Sequence, residues 1–139
     1  MKDLFKLIFK SSKSTPPDSV KQAFEQKYKD AVSVEWHQDG KYFESIFVYR
    51  GKETISRFNK KSEWLESKIN QELGEISENI RVNLTKFGEI MSSIRIERPE
   101  STVFEFVLRD KDMNRQIIFT NPDGIILDQK DFNSVFDLF

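Results

Sequence analysis

The sequence predicts an α+β fold made by duplication, each copy being one helix packed on a four-stranded antiparallel meander. Three observations carry that expectation. Lys41 to Phe58, KYFESIFVYRGKETISRF, is two runs of alternating apolar and polar residues folded about Arg50-Gly51, and Thr102 to Phe119, TVFEFVLRDKDMNRQIIF, repeats the construction. An apolar stripe at helical spacing stands ahead of each run. A shift of 60 residues sets Val20 on Ile80, Phe24 on Leu84, Val34 on Ile94 and Trp36 on Ile96. One further residue in the second hairpin sets Phe43 on Phe104, Glu44 on Glu105 and Phe58 on Phe119.

Residues 1–15 divide into an amphipathic segment, MKDLFKLIFK, and a polar linker whose Pro16-Pro17 disfavours helix before it. The first repeat is expected over 16–69. Asp18 or Ser19 caps a helix on which Val20, Ala23, Phe24 and Tyr28 share one face. Val32, Val34 and Trp36 then alternate with Ser33, Glu35 and His37 as a first strand, with Trp36 directed to the core. Asp39-Gly40 turns into the hairpin already described, and Glu63 to Lys68 reads as the fourth strand. The second repeat is expected over 70–131. Leu73, Ile76, Ile80, Leu84 and Phe87 form one helical face that Gly88 ends, with strands near 90–97, 102–109, 113–120 and 124–130. Residues 132–139 are an apolar tail.

Bulk composition narrows the function. With 22 basic against 23 acidic residues in 139, no net field draws in nucleic acid or an anionic membrane. The absence of cysteine removes disulfides, thiolate catalysis and the common zinc sites. No run approaches the roughly 20 apolar residues of a membrane span. The first ten residues make no secretory signal, so the expected location is cytoplasmic as the chain is written, and the cell envelope if a leader has been removed. Thirteen phenylalanines predict a core of large rings.

Laid out in this way, the chain resembles the PepSY-like family, similar to β-lactamase-inhibitory proteins and built from cystatin-like units. The carriers are PPDSVKQAFEQKYKDAVSVEW (Pro16 to Trp36), DGKYFESIF (Asp39 to Phe47), WLESK (Trp64 to Lys68) and NPDGIIL (Asn121 to Leu127), over roughly residues 16–130. The resemblance implies tandem helix-plus-four-strand units joined in a curved antiparallel sheet, and an inhibitor-like role. The first closing turn, Asn59-Lys60-Lys61-Ser62, departs from the acidic, glycine-bearing turn of the family that Asn121-Pro122-Asp123-Gly124 keeps.

One helix covers one face of its strands, so a face of each meander is left open. On that side lie Tyr42, Glu44, Ile46 and Val48, matched by Val103, Glu105, Val107 and Arg109. This mixed face, Tyr42, Glu44, Ile46, Val48, Val103, Glu105 and Val107, is the expected binding surface for a protein partner. No catalytic residue, metal ligand or cofactor is assigned. His37 beside Glu35 reads as a strand-end residue, and Glu44 and Glu105 as solvated charges that keep the open face soluble. Asp110, Asp112 and Asn114 lack the glycine and distal glutamate of a calcium loop and read as a charged turn. The expected function is therefore a non-catalytic protein-binding module. A small apolar ligand, or simple acid-base chemistry in a cone-shaped pocket between helix and sheet, is the alternative. A third option is self-assembly, such as a homodimer, through the termini, where Leu4, Phe5, Ile8 and Phe9, and Phe132, Val135, Phe136 and Phe139, sit at helical spacing.

Overall fold

The computed structural model describes residues 12–132, so the stripe Leu4 to Phe9 and the tail from Val135 to Phe139 lie outside the described residues. Nine strands pair in sequence order in one sheet: β1 (Ser12–Lys13), β2 (Val32–Asp39), β3 (Tyr42–Tyr49), β4 (Lys52–Phe58), β5 (Trp64–Gln71), β6 (Glu89–Arg98), β7 (Ser101–Arg109), β8 (Arg115–Thr120) and β9 (Ile126–Asp131). The helices are short, α1 (Asp18–Lys27) with 10 residues and α2 (Glu78–Leu84) with 7.

This corrects the expected α+β tandem of helix-plus-four-strand units. The protein is mostly sheet, a single nine-stranded antiparallel sheet carrying two short helices. Two local causes are visible. The polar stretch read as linker supplies an extra strand, because Ser12 and Lys13 pair with Gln38 and His37 before Pro16-Pro17 turns the chain away. The second helical face is also broken. Leu73–Glu75 is an isolated 3-10 turn closed by the Glu75 side chain accepting from the Glu72 N–H, Ile76 and Ser77 are extended, and α2 begins only at Glu78. A last 3-10 turn, Thr85–Phe87, ends at Gly88, whose φ of 137° suits glycine.

Two compact units make up the chain: residues up to Ile69 with Glu97–Ser101, and Asn70–Ile96 with the residues from Thr102 onward. In the first, Val20, Phe24 and Tyr28 of α1 pack on Phe43, Phe47 and Phe58, with Trp36 and Trp64 at the margin. The Phe24 ring stands edge-on to Phe47 at 4.8 Å and to Trp36 at 5.2 Å, geometry that aromatic quadrupoles favour. Directly opposite one another on β3, β4 and β5 lie Ser45, Ser56 and Ser67, all buried, and the Tyr28 hydroxyl reaches Ser67. In the second unit Ile76, Ile80 and Leu84 pack on Ile90, Phe106, Leu108 and Ile118.

Alternation fails at one place on β2. Val32, expected to point inward with Trp36, is exposed, because the register shifts between Val32 and Glu35 and Ser33 adopts a φ of 56°, while Val34 keeps the side of Trp36 and lines a hollow with it although 39% exposed. Hairpin chemistry is otherwise regular. Arg50 and Gly51 both have positive φ, 51° and 80°, as a two-residue I′ turn requires. Three longer turns share one design. Asn59 Oδ1 accepts from the N–H of Lys61 (2.9 Å) and Glu63 (3.0 Å), Asp110 Oδ1 from Asp112 and Asn114 (both 2.9 Å), and Asn121 Oδ1 from Asp123 (3.0 Å) and Ile125 (2.9 Å). The fourth residue of each has positive φ: Ser62 at 66°, Met113 at 68° and Gly124 at 86°. The lysine-bearing turn thus has the same geometry as its glycine-bearing counterpart, and Asp110 is a turn anchor.

Candidate functional site

On β3 the side chains of Tyr42, Glu44, Ile46 and Val48 all point away from Phe43, Ser45 and Phe47, as the two-residue period dictates. Cross-strand neighbours extend this face: His37 and Arg57 flank Glu44, while Glu35 and Ile55 flank Ile46. Ion pairs organise it. Arg57 donates from Nε (3.2 Å) and Nη2 (3.1 Å) to Glu44 Oε2, and from Nη2 to Asp39 Oδ2 at 3.1 Å. The same guanidinium lies 5.0 Å from the Tyr42 ring centroid. Beside it, Glu35 binds His37 Nε2 at 3.0 Å and Lys13 Nζ at 3.2 Å.

Glu44 is not the solvated charge that the alternation suggested, for it is only 7% exposed. Its neighbours on both adjacent strands close over the carboxylate, and Arg57 supplies the countercharge. Burial pushes the Glu44 carboxyl above the ordinary carboxylate range, although Arg57 pulls it the other way. Glu35 shifts oppositely, because hydrogen bonds with His37 and then Lys13 favour its ionised form. The two acids of one face therefore answer pH with opposite sign.

The face is more closed than expected. Tyr42, Ile46 and Val48 are half-buried and Ile55 is buried. In the second unit Val103, Glu105 and Val107 share one side of β7. Val103 and Glu105 are half-buried and Val107 is 6% exposed, beside a similarly buried Ile117. Ile94 and Ile96, which alternate with the helix-side Ser93 and Arg95, are buried as well. Phe132 is buried, with the Arg115 guanidinium 5.9 Å from its ring centroid. Val107 is therefore buried where the alternation placed it on an open face. Sequence reasoning missed Arg57, Asp39 and His37 as members of this surface. The signal was available in the opposite charges placed on facing strands.

Among the described residues no cluster of three or more His, Asp or Glu is placed to hold a metal. Nor is any described helix long and apolar enough to cross a membrane. A hollow lies between helix and sheet in each unit, that of the first about 360 Å³ against Phe24, Tyr28, Val34 and Trp36. That of the second measures about 240 Å³, with Ile76, Ile80, Phe104 and Phe106 as walls and Gln71 and Arg95 among its polar groups. Another hollow, about 310 Å³, opens in the first unit between Lys41, Tyr42 and Leu65 and the turn Asn59 to Glu63.

These features describe an antiparallel sheet protein with a network of ion pairs on one face of β3 and β4. Solved structures of that kind exist among Bacteroides proteins. A candidate periplasmic protein from Bacteroides eggerthii DSM 20697 is 23% identical, with a TM-score of 0.79 over 87% of this chain and 92% of its own. A DUF2874 family protein from Bacteroides ovatus ATCC 8483 is 20% identical, with a TM-score of 0.81 over 91% and 94%. A BLIP-like protein from Bacteroides fragilis NCTC 9343 is 17% identical, with a TM-score of 0.76 over 86% and 88%. No family profile and no curated protein matches the chain in sequence. The structural neighbours thus include BLIP-like and DUF2874 proteins, in agreement with the resemblance read from Pro16 to Leu127 at the level of fold.

Proposed function

We propose that the protein is a non-catalytic, inhibitor-like protein-binding module that engages its partner through the half-buried face of β3 and β4, with Tyr42, Ile46 and Val48 as the contact residues. The carrying observation is the network Asp39–Arg57–Glu44 with Tyr42 against the guanidinium. It fixes an aromatic ring and an arginine, the residue types enriched at binding hot spots, before any partner arrives. Glu44 supports the surface through Arg57, and Val103, Glu105 and Val107 form the corresponding face of β7 in the second unit. A BLIP-like neighbour supports the inhibitor-like reading, and inhibition of a particular enzyme is not carried over. The candidate periplasmic neighbour favours the cell envelope over the cytoplasmic location expected from the sequence.

The ligand-binding alternative turns on size. Small-molecule pockets run to about 300–1,000 Å³. The helix-side hollow of the second unit, about 240 Å³, falls below that, whereas that of the first unit, about 360 Å³ between α1 and β2, falls within it with Phe24, Tyr28 and Trp36 among its walls. The deciding experiment is affinity capture from the native host with wild-type bait and with Tyr42→Ala/Ile46→Asp bait, quantified by mass spectrometry. A partner enriched on wild type and reduced at least tenfold on the variant, with circular dichroism and melting unchanged, is the expected outcome. Identical capture by both baits removes the proposed surface.

A further inference from the structure

The turn Asn59 to Glu63 has the same hydrogen bonds as Asn121 to Ile125, yet carries the opposite charge. In both, the geometry is held by the first residue, whose Oδ1 accepts from the N–H two and four positions on, and by the fourth, which takes the positive φ. The middle pair is exposed in each case and contributes no side chain to the turn. It reads Lys60-Lys61 in one turn and Pro122-Asp123 in the other. Folding therefore does not ask for lysine at either position.

Those lysines stand where a pocket opens. Lys41, Lys60 and Lys61 rim the hollow of about 310 Å³, with Tyr42 and Leu65 on its walls and Glu63 as the single carboxylate. Glu63 is occupied locally by the Asn59 amide, which donates to it at 2.9 Å. Among the described residues no carboxylate pairs with Lys41, Lys60 or Lys61, and Lys41 lies 5.6 Å from the Tyr42 ring centroid. On the adjoining face Arg57 is already neutralised by Asp39 and Glu44. A chain of net charge −1 thus concentrates three uncompensated ammonium groups around one apolar depression.

We infer that this hollow docks an acidic segment of a protein partner, an extended stretch of Asp or Glu with one apolar side chain seated between Tyr42 and Leu65. The inference rests on the protein-binding reading above, since Tyr42 belongs to both surfaces, and it adds the chemistry of the partner. Three lysines without a basic stripe are too few for a nucleic-acid backbone, whose recognition uses many such contacts. They suffice to steer and align a short acidic stretch, with the rim charges acting mainly on association and its salt dependence.

The test uses the whole chain, isotopically labelled, titrated with three probe peptides: glutamates flanking a phenylalanine, lysines flanking a phenylalanine, and glutamates flanking a glycine. The acidic phenylalanine peptide is expected to bind at least tenfold more tightly than either of the others. Its amide shift changes should be confined to Lys41, Tyr42, Asn59 to Glu63 and Leu65. Lys60→Glu/Lys61→Glu should weaken that binding about tenfold, at about a factor of three to five for each exposed pair. Asp123→Lys, in the matching turn, should leave it unchanged. Equal binding of the acidic and basic peptides, shift changes elsewhere, or tighter binding of a single-stranded oligonucleotide at the same residues overturns the inference. The same lysine variant, used as bait in the capture experiment, separates the two proposals. If it retains a partner that Tyr42→Ala/Ile46→Asp loses, the acidic dock falls and the binding face stands.

Discussion

The three Asx-led turns show how much a single residue can hold. Each depends on one side-chain oxygen and one left-handed residue, and Met113 is the least suited of the three at the second task. It sits at φ 68° with its side chain exposed, so it contributes strain and little packing. Met113→Gly should therefore raise stability by about 1 kcal/mol, near the lower end of the cost of a non-glycine residue in that region. A urea midpoint that does not rise would refute this account. Glu44 gives the residue-scale pH prediction. Its folded pKa is raised, so the folded state holds a proton that the unfolded chain releases. The stability tied to that proton is fully present below the unfolded value of about 4.5, and is lost as pH rises through the folded value. Glu44→Gln should remove this loss. Wild type should thus weaken relative to the variant as pH rises above about 4.5, and parallel urea midpoints there would count against it. The Asx oxygens and the left-handed glycines were legible in the sequence. The burial of Glu44 was not, because alternation assigns a side chain to a face without saying what closes over it.

At the scale of elements, strand runs and turns read well from the sequence and helix extent did not. β3, β7 and β8 followed from their two-residue period, which local sterics enforce. The stripe from Leu73 to Phe87 has flawless helical spacing, yet only seven residues of it form α-helix. Apolar spacing reports which side chains face inward, and a 3-10 turn followed by an extended Ile76 can satisfy that as well as a continuous helix can. β2 deceived in the other direction, since the bulge at Ser33 breaks the alternation and leaves Val32 exposed. The junction between the last helical turn and β6 is strict. A Cβ on Gly88 would stand 2.4 Å from the Arg109 carbonyl oxygen, at a φ of 137°. Gly88→Ala should cost about 3 kcal/mol, combining a backbone outlier with a main-chain clash. A melting temperature within a degree or two of wild type would show that β7 yields there.

For the whole molecule, balanced charge limited the range of partners, and the lack of thiols and metal-spaced clusters turned attention to surfaces. The sequence pointed to β3 and β7 for that surface. Of the residues named there, Glu44 and Val107 are buried, and Tyr42, Ile46 and Val48 are half-buried. Partner capture and the peptide titrations are accordingly the measurements that bear on the molecule as a unit. The buried line Ser45, Ser56 and Ser67 has one more implication. Along β3, β4 and β5 the side chains just before or after these hydroxyls are Glu44, Arg57 and Glu66, all directed to the other side. Were one of the three strands to slide by one position toward its charged neighbour while folding, that charge would swing beneath Phe24 and Tyr28 where a hydroxyl belongs. The hydroxyls thus behave as a lock with a single keyed setting, which makes misaligned hairpins self-rejecting in a chain otherwise crowded with interchangeable phenylalanines.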